Sequence, residues 1–98
     1  MLIARVIGTL VSTQKEPTME GLRLLVCQPL TASGEKTGAA IVAADAVGAG
    51  VGEVILFATG SSARQTIATQ NRPVDAVVMA IVDHWEVDGE TKYRKSDD

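Results

Sequence analysis

The stretch "AADAVGAGVGEVILFAT", residues 43–59, decides how the chain is read. Apolar segments flank a loop in which Gly48, Gly50 and Gly52 alternate with other residues, and Glu53 closes it. Many phosphate-binding loops begin this way, so the segment that follows is the discriminating one. A phosphate cradle uses the N–H groups and dipole at the start of a helix, whereas "EVILF" reads as a strand. The spacing G-x-G-x-G-E also differs from the G-x-G-x-x-G of a dinucleotide fold, and it lacks the G-K-[ST] ending of a P-loop. A paired βαβ core does not fit in 98 residues. The glycines are therefore expected to permit positive φ and close backbone approach, within the fold or against a neighbouring subunit.

Working outward, residues 39–45 and 53–59 are the strands on either side of that loop. Residues 2–11 ("LIARVIGTLV") form a further strand with imperfect alternation, since Arg5 and Thr9 share a face with Ile3, Ile7 and Val11. Gly8 in its middle predicts a bulge or sharp bend. A polar loop with Pro17 and Gly21 leads to a strand over 22–30, and "TASGEKTG" (31–38) is a hairpin-like connection. "GSSARQTIAT" (60–69) predicts a short helix with Ser61 or Ser62 as its N-cap, closed by Pro73. Residues 76–83 make the fifth strand, and Asp88-Gly89 suits a type I′ turn in a terminal hairpin. Five main strands with short loops in one small domain favour a closed β-barrel over an open sheet. That domain is expected over residues 1–93, with 94–98 as a charged, frayed tail.

Composition narrows the function classes. Aromatic residues are 3% of the chain, so the core rests on Val, Ile, Leu and Ala, and a subunit interface is expected to supply part of the stability. The net charge is −3, with no basic run. Nucleic-acid binders usually carry a basic footprint, and single-strand binders add aromatic platforms. An OB-type nucleic-acid-binding module is therefore the second reading. A single cysteine excludes an internal disulfide framework and fits a reducing cytosol. Arg5 interrupts the apolar start where a signal peptide would continue, and no apolar run approaches the ~20 residues that span a bilayer.

No catalytic residue, cofactor site or metal site is expected. Ser61, Ser62 and the lone His84 occur without a G-x-S-x-G elbow, and a serine nucleophile needs a base within reach. Arg64 is expected to pair with a carboxylate, Asp75 or one on a neighbour. Cys27, inside an apolar strand, reads as a buried small hydrophobe, and a lone Cys and His make no zinc site.

The segments "ARVIGTLVSTQKEPTMEGLRLLVCQPL", "AADAVGAGVGEVILFATGSSAR" and "NRPVDAVVMAIVD", taken in order, resemble the EutN/CcmL family. These are the pentameric vertex proteins of bacterial microcompartment shells, carboxysomes included. The resemblance covers roughly residues 2–83 and implies an OB-like five-stranded barrel that assembles as a homopentamer. Such pentamers cap the fivefold vertices of a shell in the bacterial cytoplasm, where the layer of hexameric shell proteins curves. It further implies that Gly48, Ala49, Gly50, Gly52 and Glu53 lie on the rim against adjacent hexamers, with the backbone offering N–H and C=O groups and Glu53 an acceptor. Ser12, Thr13 and Lys15 are a second rim candidate, and Ser61, Ser62 and Arg64 are placed near subunit contacts or the axial opening. A ring of this kind requires each subunit to present two different complementary patches.

Overall fold

The computed structural model describes residues 1–97; Asp98, the last residue of the expected tail, lies outside them. Seven strands follow in chain order: β1 (Leu2–Leu10), β2 (Leu24–Leu30), β3 (Ile41–Asp45), β4 (Val54–Thr59), β5 (Ala76–Ile81), β6 (His84–Val87) and β7 (Glu90–Arg94). The first five close into a barrel in the order β1-β2-β3-β5-β4, and β6 and β7 form a separate hairpin. All barrel pairings are antiparallel except β3 with β5, which is parallel. That parallel pair requires the chain to cross from β3 to β5, and β4 and the loops around it supply the crossing.

β1 is long enough to pair on both sides. Its first half faces β4, from Leu2 opposite Phe57 to Arg5 opposite Val54. From Ile3 to Leu10 it follows β2, with a register shift between Val6 and Gly8. The predicted irregularity is therefore present, and Ile7 is the extra residue. A bulge increases local twist, which lets one strand turn the corner of a small barrel.

Ala4 and Val6 of β1 point inward and meet Leu25 and Cys27 of β2 and Ile55 and Phe57 of β4, all essentially inaccessible to solvent. A satellite cluster of Ala44, Ala58, Ala63, Val74 and Val77 closes one flank. Small side chains dominate because a five-stranded barrel has a narrow lumen. In the terminal hairpin, Asp88 and Gly89 have φ of 53° and 78°. Two positive values in succession are what the type I′ turn demands.

Two expectations are corrected. Residues 60–69 are not a helix: only a short 3-10 turn, Gly60–Arg64, forms. Thr59 rather than Ser61 or Ser62 precedes it, and its side chain makes no capping bond. The buried Thr69 explains the interruption, because its hydroxyl donates to the Ala63 carbonyl at 2.5 Å and bonds the Thr66 hydroxyl at 2.6 Å. Side-chain hydroxyls that satisfy local backbone groups compete with a helix, and one this short has little cooperativity to resist them. The second correction concerns the C-terminus. Arg94 belongs to β7, and Lys95–Asp97 form a 3-10 turn anchored by the Lys95 N–H on the Asp83 carbonyl at 2.7 Å.

Candidate functional site

The loop joining β3 to β4 is built around Asp45. Its Oδ1 accepts from the N–H groups of Val47 (3.1 Å), Gly48 (3.1 Å) and Ala49 (3.3 Å). Its Oδ2 receives the Arg23 guanidinium at 2.5 Å, and the same Arg23 nitrogen donates to the Ala49 carbonyl at 2.6 Å. The carboxylate is only 2% exposed. Burial pushes the Asp45 carboxyl up, but the N–H groups of Val47, Ala49 and Gly48 and the Arg23 guanidinium outweigh it and hold the group below its ordinary value. A concave set of backbone N–H groups is an anion site when empty. Here the protein's own carboxylate fills it, which is the structural reason the loop is no phosphate cradle.

The second half of the loop turns on Glu53. One carboxylate oxygen accepts the Gly50 N–H at 2.6 Å, and the other meets Lys95 Nζ at 2.7 Å. The Lys95 bond and the Gly50 N–H hold the Glu53 carboxyl below its ordinary value. The loop backbone is stitched to β1 by Gly52 N–H to the Val6 carbonyl (2.8 Å) and Val6 N–H to the Glu53 carbonyl (2.9 Å). Arg5 donates to the Gly52 carbonyl at 2.7 Å. Gly48 and Gly52 adopt φ of +80° and +95°, where a side chain would be strained. Gly50 does not; a Cβ there would sit 3.4 Å from the Glu53 carboxylate.

These contacts revise the expected roles. Ala49 is fully buried in the barrel core, so it anchors the loop and contributes no surface. The N–H groups of Val47, Gly48, Ala49, Gly50 and Gly52 are spent inside the chain, and so is the Glu53 carboxylate. What the loop offers outward is Gly48, Gly52 and two side chains that motif reading passed over, Val47 (42% exposed) and Val51 (61% exposed). Apolar residues alternating with glycine in a surface loop are the signal that could have found them.

The other candidates lie apart. Ser12, Thr13 and Lys15 are exposed on the loop after β1, where Lys15 donates to the Ser12 carbonyl at 2.9 Å. Ser12 and Lys15 border a groove of about 520 Å³ that Arg23 also lines, so Arg23 links this loop to the glycine loop. Ser61, Ser62 and Arg64 follow β4 and so lie at the opposite barrel end from the glycine loop, which precedes it. Arg64 donates to the Val74 carbonyl at 3.2 Å, and among the described residues no ion pair joins it to Asp75. An apolar groove of about 700 Å³, lined in part by Leu2, Ile3, Leu30, Ile41 and Val42, lies at this end beside Gly60.

Nothing in the geometry favours the nucleic-acid alternative. Phe57 and Tyr93 are buried, and Trp85 stacks on Tyr93 at 5.3 Å while its indole N–H donates to the Ala32 carbonyl. The aromatic faces are thus used within the fold. Among the described residues no cluster of His, Cys, Asp and Glu could hold a metal ion, and no helix is long and apolar enough to cross a membrane.

Comparison with known proteins fits this barrel. The family model for "Ethanolamine utilisation protein EutN/carboxysome" matches residues 1–83. The chain is 48% identical over 97 residues to the carboxysome shell vertex protein CcmL of Gloeobacter violaceus, covering 99% of this chain and 97% of that protein. The solved structure of Gloeobacter violaceus CcmL superposes with a TM-score of 0.93, covering 98% of this chain and 99% of that one. The GrpN pentameric microcompartment shell protein from Rhodospirillum rubrum superposes with a TM-score of 0.81 at 42% identity, covering 89% of this chain and 99% of that one. With the same barrel, a family match through all five of its strands and near-half identity along its length, the chain belongs to the EutN/CcmL family of microcompartment shell vertex proteins.

Proposed function

We propose that this chain forms a homopentamer that caps the fivefold vertices of a bacterial microcompartment shell and contacts neighbouring hexameric shell proteins, without catalysing a reaction. The observation that carries the reading is its full-length similarity in sequence and backbone to shell vertex proteins, one of them described as pentameric. The distribution of apolar surface supports it. Met1, Leu2, Ile7, Leu10, Val11, Val42 and Ile67 are all exposed on a single chain, Ile67 at 99%. Exposed apolar side chains of this kind are available to a subunit interface. A closed ring needs two unlike patches per subunit. The groove bordered by Leu2, Ile3, Leu30 and Val42 is suited to be one of them, with Ser61, Ser62 and Arg64 near the contact or the axis. The rim is then the glycine loop, Gly48 to Glu53, together with Ser12, Thr13 and Lys15. It meets hexamers through Val47 and Val51, while Ala49 and Glu53 shape the loop from within.

The test is co-production with hexameric shell proteins, with native mass spectrometry of the isolated chain. A pentamer is expected at micromolar concentration, and Val51→Asp should leave it intact while excluding it from shells. Monomer alone, or incorporation of Val51→Asp at the wild-type level, would overturn the assembly or the rim assignment respectively.

A further inference from the structure

The family match ends at residue 83, yet the hairpin beyond it is tied to the glycine loop at two points. Lys95, just past β7, bonds Glu53 at 2.7 Å through its ammonium while its own N–H is pinned on the Asp83 carbonyl at 2.7 Å. Arg5 forms the other tie: it donates to the Gly52 carbonyl, and its guanidinium lies 5.7 Å from the Tyr93 ring centroid, within cation–π range. A solvent-facing ion pair alone contributes little. This one is different in its placement, because the carboxylate oxygen that does not meet Lys95 holds the Gly50 N–H at 2.6 Å. Lys95 fixes the Glu53 side chain, and Glu53 fixes the second half of the loop.

We propose that Lys95 is a positioning residue for the docking loop, so that the C-terminal hairpin sets the conformation with which residues 50–53 meet a neighbouring shell protein. The consequence for docking rests on the rim assignment above; the order of the loop does not. A loop held in its bound shape loses less conformational freedom on association, which favours binding without adding a contact. The hairpin, outside the stretch that the family model matches, then tunes a loop inside it.

Hydrogen exchange read by mass spectrometry on the intact assembly tests this. Lys95→Ala should speed exchange across residues 50–53 by about three- to tenfold, the effect of losing one tethering hydrogen bond, and leave residues 47–49, held by Asp45, and 54–59 unchanged. Lys95→Arg should retain protection. The exchanged pair Glu53→Lys with Lys95→Glu restores opposite charges but no acceptor for Gly50, so the loop should stay fast. Unchanged exchange in Lys95→Ala, loss of protection in Lys95→Arg, or recovery in the exchanged pair would overturn the proposal. In the shell assay Lys95→Ala should incorporate less well and Lys95→Arg normally; undiminished incorporation with a loosened loop overturns the positioning role. Incorporation of the wild type reads the vertex assignment separately.

Discussion

Replacing Asp45 by Asn isolates the charge at the centre of the glycine loop. The amide oxygen can still accept from Val47, Gly48 and Ala49, where the wild-type bonds are 3.1–3.3 Å. The other terminus becomes an NH₂ facing the Arg23 donor that stood 2.5 Å from Oδ2, so a charge-assisted bond is replaced by two opposed donors. Losing a hydrogen bond to a charged group costs about 1.5–3 kcal/mol. Arg23 is 51% exposed and can turn to water, which discounts the figure to about 1–2 kcal/mol. For a chain of this size each kcal/mol lowers Tm by about 4–8 °C. Asp45→Ala also strips three N–H groups of their acceptor, a loss of the kind seen at helix caps, and should cost about 1–2 kcal/mol more.

The pH dependence provides the stricter test. The folded-state Asp45 carboxyl lies below its ordinary value of 3.8. A depressed carboxyl stabilises the fold fully above the unfolded value, and the contribution fades as pH falls through the folded one. The gap between wild type and Asp45→Asn should therefore be constant from neutral pH to about 5 and shrink below about 4. Denaturant unfolding at fixed protein concentration measures it, since association would otherwise move the midpoint. A neutral-pH gap under about 0.3 kcal/mol, well below any charge-assisted bond, or a gap that persists undiminished at pH 3, would refute the reasoning.

Two further outcomes follow from the same geometry. Gly52→Ala, at φ +95°, should destabilise the fold by about 1–2 kcal/mol, whereas Gly50→Ala should cost less because its φ is not in the left-handed region and the new methyl would meet the Glu53 carboxylate only at 3.4 Å; urea unfolding of the two variants ranks them, and the reverse order would contradict the loop geometry. Cys27 is fully buried, and burial, with the nearby Asp45 charge, pushes its thiol up to about 11. With so little thiolate at pH 8, an aromatic disulfide reagent should react at least ~100-fold more slowly with the native protein than with the denatured chain.

What could be read in the sequence, and what could not, divides along range. The strands, the β1 bulge at Val6 to Gly8 and the turn at Asp88-Gly89 are local features, set by alternation, side-chain shape and the sign of φ. The absence of a phosphate cradle was also legible, because the strand character of Val54–Thr59 lies next to the glycines. The stretch 60–69 misled because Thr66 and Thr69 bond locally through their hydroxyls, an option that helix propensity does not register. The inward turn of Ala49 and the partners of Asp45 and Glu53 could not be read at all. Arg23, Arg5 and Lys95 come from three other segments, and only closure of the barrel and docking of the hairpin bring them to the loop.

That arrangement changes what a neighbour can use. A glycine-rich loop with free N–H groups would bind by backbone donation and would suit any anion. This loop has turned the donors of residues 47–50 inward onto two acidic side chains and its anchor Ala49 into the core, while the Gly50 and Gly52 carbonyls accept from the Glu53 N–H and from Arg5, leaving Val47 and Val51 as its outward side chains. In the proposed rim role, two exposed valines suit a dry apolar edge of a partner and offer nothing to phosphates or carboxylates. The glycines at 48 and 52 are then required chiefly by backbone conformation. In the proposed rim role, close approach of a partner follows from that conformation, and discrimination falls to Val47 and Val51.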